Sequence, residues 1–236
     1  MDIQRFFDKP IPPLGSVDDS WECGDAQECG EAVLDITDIN PRIQFDASYL
    51  KAGIKGALTR CYVRAGVYDR LCHALSLLPE AYSFLIYDTL RPLRVQKALY
   101  DDYYARVQAQ HPEADETELE RLTREFVALP VLNILRPSSH QTGGAVDLTL
   151  LKDGQPVDMG TVFDEFEEIA YSDYFEREGA EESVRLNRRL LYNVMIEAGF
   201  TNYDCEWWHY DWGNRSWARK KHVPSIYTYS DSPDLK

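Results

Sequence analysis

Two side chains suited to metal binding stand close together in the segment Ser138–Leu150. Residues Ala145–Leu150 alternate between apolar and polar side chains, which predicts a β-strand. Asp147 falls inside this strand, where a buried carboxylate is costly unless it is paired or binds a metal. His140 lies seven residues upstream, and the Gly143-Gly144 pair between them allows a tight turn. We therefore expect one imidazole nitrogen and one carboxylate oxygen to meet at a single place.

Further side chains suited to a metal site lie in the segment Glu206-Trp207-Trp208-His209-Tyr210. His209 supplies a third ligand, and two histidines with one aspartate form the protein part of a catalytic zinc site whose fourth position is left for water. Glu206 is then free to act as the general base on that water. Residues three apart do not share one face of a regular strand, so we expect a turn, bulge or strand end at 206–209.

At these residues the chain resembles a known family, the zinc D-alanyl-D-alanine dipeptidases (VanX-type) of the wider D,D-peptidase superfamily. The resemblance rests on four motifs in the family's order: Tyr87-Asp88-Thr89-Leu90-Arg91-Pro92, Ser138-Ser139-His140 through Asp147-Leu148-Thr149-Leu150, Met159-Gly160 with Phe163-Asp164, and Glu206-Trp207-Trp208-His209-Tyr210. The matches run from about residue 33 to about residue 215. Each motif is moderately specific by itself, and four in order are very specific.

The resemblance implies an α+β fold, in which helices flank a central, mainly antiparallel sheet of the D,D-peptidase/hedgehog-like type. It implies one zinc ion per chain, with His140, Asp147 and His209 as ligands. The implied substrate is D-alanyl-D-alanine or a closely related small dipeptide. The preference for D-residues comes from the family alone, because these residue types do not reveal stereochemistry.

The resemblance also implies roles for the remaining site residues. Arg91 stabilises the developing oxyanion, a role that suits a guanidinium because it stays charged and has fixed donors. Glu206 takes the proton from water and passes it to the leaving amine. Asp164 binds the free amino group of the substrate, as a dipeptidase requires. Ser138 occupies a family position that helps to bind the substrate.

The bulk composition limits the possible partners and the cellular location. The 236 residues carry a formal net charge of −15, which argues against nucleic-acid binding and against docking on anionic lipid. The first residues have mixed charge with no long apolar run after them, which predicts no export signal and a cytoplasmic location. The five cysteines are scattered, and we expect them to be free thiols.

The elements that must position these residues can be predicted from periodicity. Residues 82–87 read as a central strand that delivers Arg91 just after its end, and 145–162 as a β-hairpin. Helical spacing covers 63–78, 95–107 and 181–198, and 95–137 is expected to form a helical flap without chemistry of its own. Residues 1–32 are predicted to be an appended arm and 33–236 a single catalytic domain, with 215–236 as a surface tail.

Two other functions remain open at this stage. A D,D- or L,D-carboxypeptidase of the same superfamily would share the zinc residues but act on longer peptidoglycan peptides. A non-catalytic zinc-binding hedgehog-like module would share the fold. Asp164 favours the dipeptidase over the first, and the presence of both Glu206 and Arg91 argues against the second.

Overall fold

The fold combines α-helices and β-strands throughout the described residues, which are 2–124, 126–130 and 132–231 of a computed structural model. The strands are β1 (Val33–Asp35), β2 (Ile43–Phe45), β3 (Tyr62–Arg64), β4 (Tyr82–Asp88), β5 (Ala145–Lys152), β6 (Gln155–Pro156), β7 (Thr201–Asn202) and β8 (His209–Asp211). The α-helices are α1 (Gln4–Asp8), α2 (Ser48–Lys51), α3 (Ala65–Ser76), α4 (Leu93–Gln110), α5 (Glu116–Thr123), α6 (Glu182–Glu197) and α7 (Arg215–Lys221). None of these helices has both the length and the hydropathy that a bilayer span needs.

Strand β5 lies in the middle of the main sheet, whose order is β2-β4-β5-β8-β7, with β6 also paired to β5. Only β2 and β4 are parallel among the pairs of this sheet that the described residues form. The predicted α+β fold with a mainly antiparallel sheet is therefore confirmed. The register places Asp147 opposite His209 on one side and opposite Asp88 on the other. One position of the central strand thus meets groups from two distant parts of the chain.

The core forms around β5 because its side chains are buried on both faces of the sheet. Seven of its eight residues are buried, and Leu148 and Leu150 are completely inaccessible. The predicted strand at 82–87 is confirmed as β4, which alternates between buried and half-buried residues. The amphipathic helix predicted at 181–198 is confirmed as α6 (Glu182–Glu197), whose apolar face joins the same core as that of α3. Buried apolar surface of this extent is the main stabilising contribution to such a sheet.

Two predicted elements differ from the structure at their ends. The helix predicted from residue 63 begins only at Ala65, because Tyr62–Arg64 pairs with β1 as strand β3. The hairpin predicted at 145–162 ends at Pro156, since the carbonyls of Asp158 and Met159 accept hydrogen bonds from side chains of α6 rather than from a strand. Residues 157–167 therefore form a loop that leads to the candidate site.

The N-terminal segment packs onto the rest of the molecule. Phe6 of α1 is 3% exposed and belongs to the same hydrophobic core as β4 and β5. Asn193 of α6 donates to the backbone carbonyls of Phe6 and Lys9 at 3.0 Å and 2.8 Å. These contacts give residues 1–32 a structural role. The division into an arm at 1–32 and a domain at 33–236 stays a prediction.

Replacing Phe6 tests whether the N-terminal segment is part of the cooperative unit. We expect Phe6→Ala to lower the free energy of unfolding by about 3 kcal/mol or more, because it leaves a cavity in the core. Urea denaturation followed by circular dichroism measures this change. Leu14→Ala is the matched control, because Leu14 is 45% exposed and its truncation should change the free energy by only about 0.5 kcal/mol. A Phe6→Ala effect as small as that of the control would show that the segment is dispensable.

The surface tail predicted at residues 215–236 is anchored in the molecule at four buried residues, Ala218, Ser225, Tyr227 and Thr228. Ser225 and Tyr227 are completely buried, and residues 232–236 lie outside the described residues. Tyr227 donates a hydrogen bond of 2.6 Å to Glu31 Oε2. Its ring lies against Gly213 (φ +68°), where an added Cβ would come within 2.4 Å of the ring. A glycine is therefore needed for the tail to reach this position.

Candidate active site

The three predicted ligands meet at one buried point. His140 begins a short 3-10 helix (His140–Thr142), Asp147 lies in β5, and His209 is the first residue of β8. His209 Nδ1 is 3.0 Å from Asp147 Oδ1, and His140 Nε2 is 3.3 Å from Asp147 Oδ2. The two imidazole nitrogens are 3.2 Å apart. Ligands of a tetrahedral zinc ion with bonds of about 2.0 Å lie about 3.3 Å apart, so this spacing fits such an ion.

The outer nitrogens of both histidines have partners that determine which nitrogen faces inward. His140 Nδ1 is 2.7 Å from the carbonyl oxygen of Thr89, which can only accept, so Nδ1 carries the proton. His209 Nε2 is 3.1 Å from Asp211 Oδ1 and donates to it in the same way. In the neutral rings, His140 Nε2 and His209 Nδ1 therefore direct lone pairs at each other and at Asp147. Such an arrangement of acceptors is favourable only around a cation.

The charges around the ligands also favour a cation between them. Burial alone would lower the pKa of His209, but Asp211 and Asp147 raise it well above its ordinary value. Burial alone would raise the pKa of Asp147, yet His140 and His209 hold it well below its usual range. Both shifts favour positive charge beside these carboxylates. The donor set therefore fits a divalent metal ion, which takes the place of protons when it binds.

Arg91 lies beside the ligands and is held from three directions. Its Nε donates to Asp88 Oδ2 at 2.7 Å, and its Nη1 donates to Gln96 Oε1 at 2.9 Å. Its Nη2 is 3.1 Å from the Tyr49 hydroxyl and 3.6 Å from Asp147 Oδ2. The side chain is only 12% exposed, and burial, which lowers its pKa, is outweighed by Tyr49 and Asp88, which raise it. The guanidinium is therefore a fixed positive charge at the edge of the candidate metal site.

Glu206 stands next to the ligands without belonging to their cluster. Its Oε2 is 3.9 Å from His209 Nδ1, and its side chain is 14% exposed. The predicted turn at 206–209 is confirmed, since the His209 amide donates to the Glu206 carbonyl at 3.3 Å and β8 begins at His209. Burial raises the pKa of Glu206, His209 lowers it and Asp147 raises it, with a result of about 7. A carboxylate with such a pKa can accept and return a proton near neutral pH.

All seven predicted site residues line one cavity of about 500 Å³. Asp164 lies in the loop 157–167 with φ +60°. Burial and then Asp147 raise the pKa of Asp164 well above its ordinary value, while Arg91 lowers it. The buried Ser138 Oγ has no hydrogen-bond partner among the described residues. A buried hydroxyl without a partner is uncommon and calls for an explanation.

Sequence reasoning missed three residues that contact the predicted ones: Tyr49, Gln96 and Asp211. Asp211 follows His209 by two positions on β8, so the strand period places both on one face and could have revealed it. Gln96 lies in the 95–137 segment, which was expected to carry no chemistry. That segment holds Arg91 through Gln96, and its residues Leu99, Asp102, Arg106 and Arg124 line the cavity. No local pattern points to Tyr49.

Comparison with known proteins identifies the family. Residues 31–226 match the family model described as D-ala-D-ala dipeptidase. The chain belongs to the D-ala-D-ala dipeptidase family. It is 31% identical over 233 residues to a D-alanyl-D-alanine dipeptidase of Synechocystis sp., covering 90% of this chain and 91% of that protein. A Streptomyces coelicolor protein of the same name is 32% identical over 179 residues, covering 69% and 77% of the two chains.

A third relative with this name, from Enterococcus faecium, is 33% identical over 138 residues, which is 56% of this chain and 62% of that protein. The family resemblance predicted from the four motifs is thus confirmed. The chain is a member of a metal-dependent peptidase family and contains a candidate His/Asp/His metal site.

Proposed function

We propose that this protein is a zinc-dependent dipeptidase that hydrolyses D-alanyl-D-alanine or a closely related small dipeptide. The observation that carries the proposal is the convergence of His140, Asp147 and His209 in one cavity with Glu206 and Arg91. The names of the relatives support the substrate. A small dipeptide as partner also fits a chain with a net charge of −15, for which no nucleic-acid or membrane partner is expected.

We assign one zinc ion per chain to His140 Nε2, Asp147 and His209 Nδ1. Mixed nitrogen and oxygen ligands with an open fourth position are typical of catalytic zinc. When bound there, zinc would activate a water molecule and polarise the carbonyl of the substrate. The residues themselves supply the ligand geometry, since Thr89 and Asp211 hold the two imidazoles in place.

Glu206 and Arg91 are proposed to carry the proton transfer and the charge stabilisation. Glu206 accepts a proton from the attacking water and donates it to the nitrogen of the leaving amino acid. Arg91 donates from its guanidinium to the carbonyl oxygen as negative charge develops on that atom. Asp88, Gln96 and Tyr49 keep this guanidinium from rotating away. The arrangement is preorganised, which is the condition for a large electrostatic contribution.

Asp164 and Ser138 are proposed to recognise the two ends of the substrate. The Asp164 carboxylate lies in a partly buried position where an ammonium group would relieve its repulsion from Asp147. Ser138 lines the cavity, and we propose that its Oγ, which has no hydrogen-bond partner among the described residues, binds the substrate carboxylate. Recognition of both termini is needed because a dipeptide has few other groups to bind. The cytoplasmic location also stays a prediction.

A prediction concerns Asp211, which touches His209 on the side away from the ligands. We expect Asp211→Ala to weaken zinc affinity by about 10- to 100-fold, because His209 loses the partner that orients its ring. Asp211→Asn keeps an acceptor oxygen for Nε2 and should lose less. Competition with a fluorescent zinc chelator measures the affinity. Equal affinities in Asp211→Ala and wild type would contradict the assigned orientation of His209.

The function is tested with a substrate panel on protein of known metal content. The panel contains D-alanyl-D-alanine, L-alanyl-L-alanine, N-acetyl-D-alanyl-D-alanine and a muramyl pentapeptide. We expect one zinc per chain and the fastest hydrolysis of the free D,D-dipeptide, since the acetylated peptide has no ammonium for Asp164. Faster cleavage of the pentapeptide would favour the carboxypeptidase. If the zinc-loaded protein cleaves no peptide, the non-catalytic module is favoured instead.

A further inference from the structure

Arg188 of α6 is buried and donates hydrogen bonds to the chain on both sides of the loop that carries Asp164. Its Nε donates to the Met159 carbonyl at 2.8 Å, on the side where the loop begins. On the side where the loop ends, Nη2 donates to the Ile169 carbonyl at 2.9 Å and Nη1 donates to the Tyr171 carbonyl at 2.6 Å. One side chain thus closes residues 160–168 into a loop of defined width.

Burying the positive charge of Arg188 costs free energy, and no ion pair with another described residue offsets this cost. The residue is 2% exposed and forms no ion pair with a carboxylate in the described part of the chain. Its guanidinium lies 4.6 Å from the centre of the Phe175 ring and 5.8 Å from that of Trp207. Burial lowers the pKa of Arg188 to about 9. Apart from these two rings, the buried charge has only the three backbone carbonyls as partners among the described residues, which indicates that Arg188 serves to hold those carbonyls in place.

Apart from Arg188, the loop is held by side-chain contacts and not by its own backbone. Among the described residues, no backbone group of 161–166 takes part in a hydrogen bond. Trp207 Nε1 donates to Thr161 Oγ1 at 2.7 Å, and Phe163 stacks on Tyr87 with ring centres 4.5 Å apart. Asp164 follows Phe163 directly and has φ +60°, a conformation that non-glycine residues rarely adopt without support. Tyr49 forms a hydrogen bond with the Asp164 side chain, and Phe163 also packs on Tyr49 and Trp208. Because the backbone of 161–166 has no hydrogen bond of its own within the described part of the chain, the Asp164 carboxylate meets these partners only when the ends of the loop are held in place.

We propose that Arg188 is a positioning residue for substrate binding, which holds Asp164 at the place where it meets the ammonium group of the dipeptide. The proposal rests on the proposed function, in which Asp164 recognises that group. Arg188 does not touch the cavity and takes no part in the bond-breaking step. Its loss should therefore weaken binding of the amino end and leave Glu206, Arg91 and the metal ligands in place.

Arg188→Met tests this proposal, with Arg189→Met as the matched control. Arg189 lies on the same helix but binds Glu176 and the Phe7 carbonyl, which are not part of the loop. We expect Arg188→Met to raise KM for D-alanyl-D-alanine by about 10- to 100-fold, with kcat changed less than about threefold and zinc content unchanged. Arg189→Met should leave KM unchanged even where it lowers the melting temperature. Arg188→Lys can reach fewer carbonyls and should fall between wild type and Arg188→Met.

A second measurement separates this proposal from the proposed function. Limited proteolysis should cut residues 160–168 faster in Arg188→Met than in Arg189→Met, and this does not depend on activity. An inactive wild type with such a cleavage difference would refute the dipeptidase but retain Arg188 as the restraint on the loop. Equal KM in Arg188→Met and wild type, or a loss of kcat and zinc in place of a rise in KM, would overturn the positioning role. Unchanged proteolysis of the loop would also overturn it.

Discussion

Glu206→Ala is expected to lower kcat for D-alanyl-D-alanine by about 10²- to 10⁴-fold while the protein keeps its zinc. The reason is that Glu206 is the carboxylate placed to accept a proton beside the candidate metal site without being one of its three ligands. Its Oε2 is 3.9 Å from His209 Nδ1, and the three ligand atoms meet without it. Steady-state kinetics together with metal analysis by mass spectrometry of the same samples measure both quantities.

Glu206→Gln sharpens this experiment, because the amide keeps the size of the side chain but cannot accept the proton. It should be as inactive as Glu206→Ala. Glu178→Gln is the control for loss of a negative charge, since Glu178 is exposed and lies outside the loop that carries Asp164. Full activity in Glu206→Gln would rule out Glu206 as the base. Loss of zinc in Glu206→Gln would instead make Glu206 a ligand.

His140→Ala is expected to lose the metal and with it nearly all activity. Removing one of three ligands leaves Asp147 and His209, which cannot hold a catalytic ion in tetrahedral geometry. Because a catalytic metal contributes several kcal/mol to transition-state stabilisation, kcat/KM should fall by about a thousandfold or more. Zinc content after gel filtration and activity with and without added zinc measure the effect. Excess zinc should restore part of the activity only if the remaining ligands still bind it.

The control for His140→Ala is His111→Ala. His111 is exposed and lies at the end of α4, so its loss should change neither zinc content nor activity. Glu206→Ala and His140→Ala together separate the two roles at the site, because the first removes turnover with the metal in place and the second removes the metal. A His140→Ala protein with full zinc content would contradict the assigned ligand set.

Much of the candidate site could be predicted because its groups lie in short motifs with local meaning. The strand at Ala145–Leu150 and the turn at Glu206-Trp207-Trp208-His209 both depend on residues that are close in sequence. The structure contains both elements. The class of fold was predictable from the family resemblance. The predicted ends of helices were less accurate. The sequence around residue 63 has helical spacing, but Tyr62–Arg64 pairs with β1 and forms a strand instead.

Contacts between distant segments were not predictable from such motifs. Tyr49 reaches Arg91 from a short helix some forty residues upstream, and Gln96 reaches it from α4. Tyr227 is buried against Gly213 and Glu31, which lie far from it in the sequence. Each of these side chains is placed by the packing of an element that its local pattern does not reveal.

The sequence by itself determined the chemical types at the site, the spacing of the motifs and the family to which the chain belongs. The tertiary structure alone decided which nitrogen of each histidine faces the candidate metal position, since the partners Thr89 and Asp211 determine it. It also decided which residues hold Arg91 and that Arg188 closes the loop of Asp164. The physical reason is that residue type and periodicity act over a few positions, whereas hydrogen-bond partners and burial depend on segments that meet only when the chain has folded.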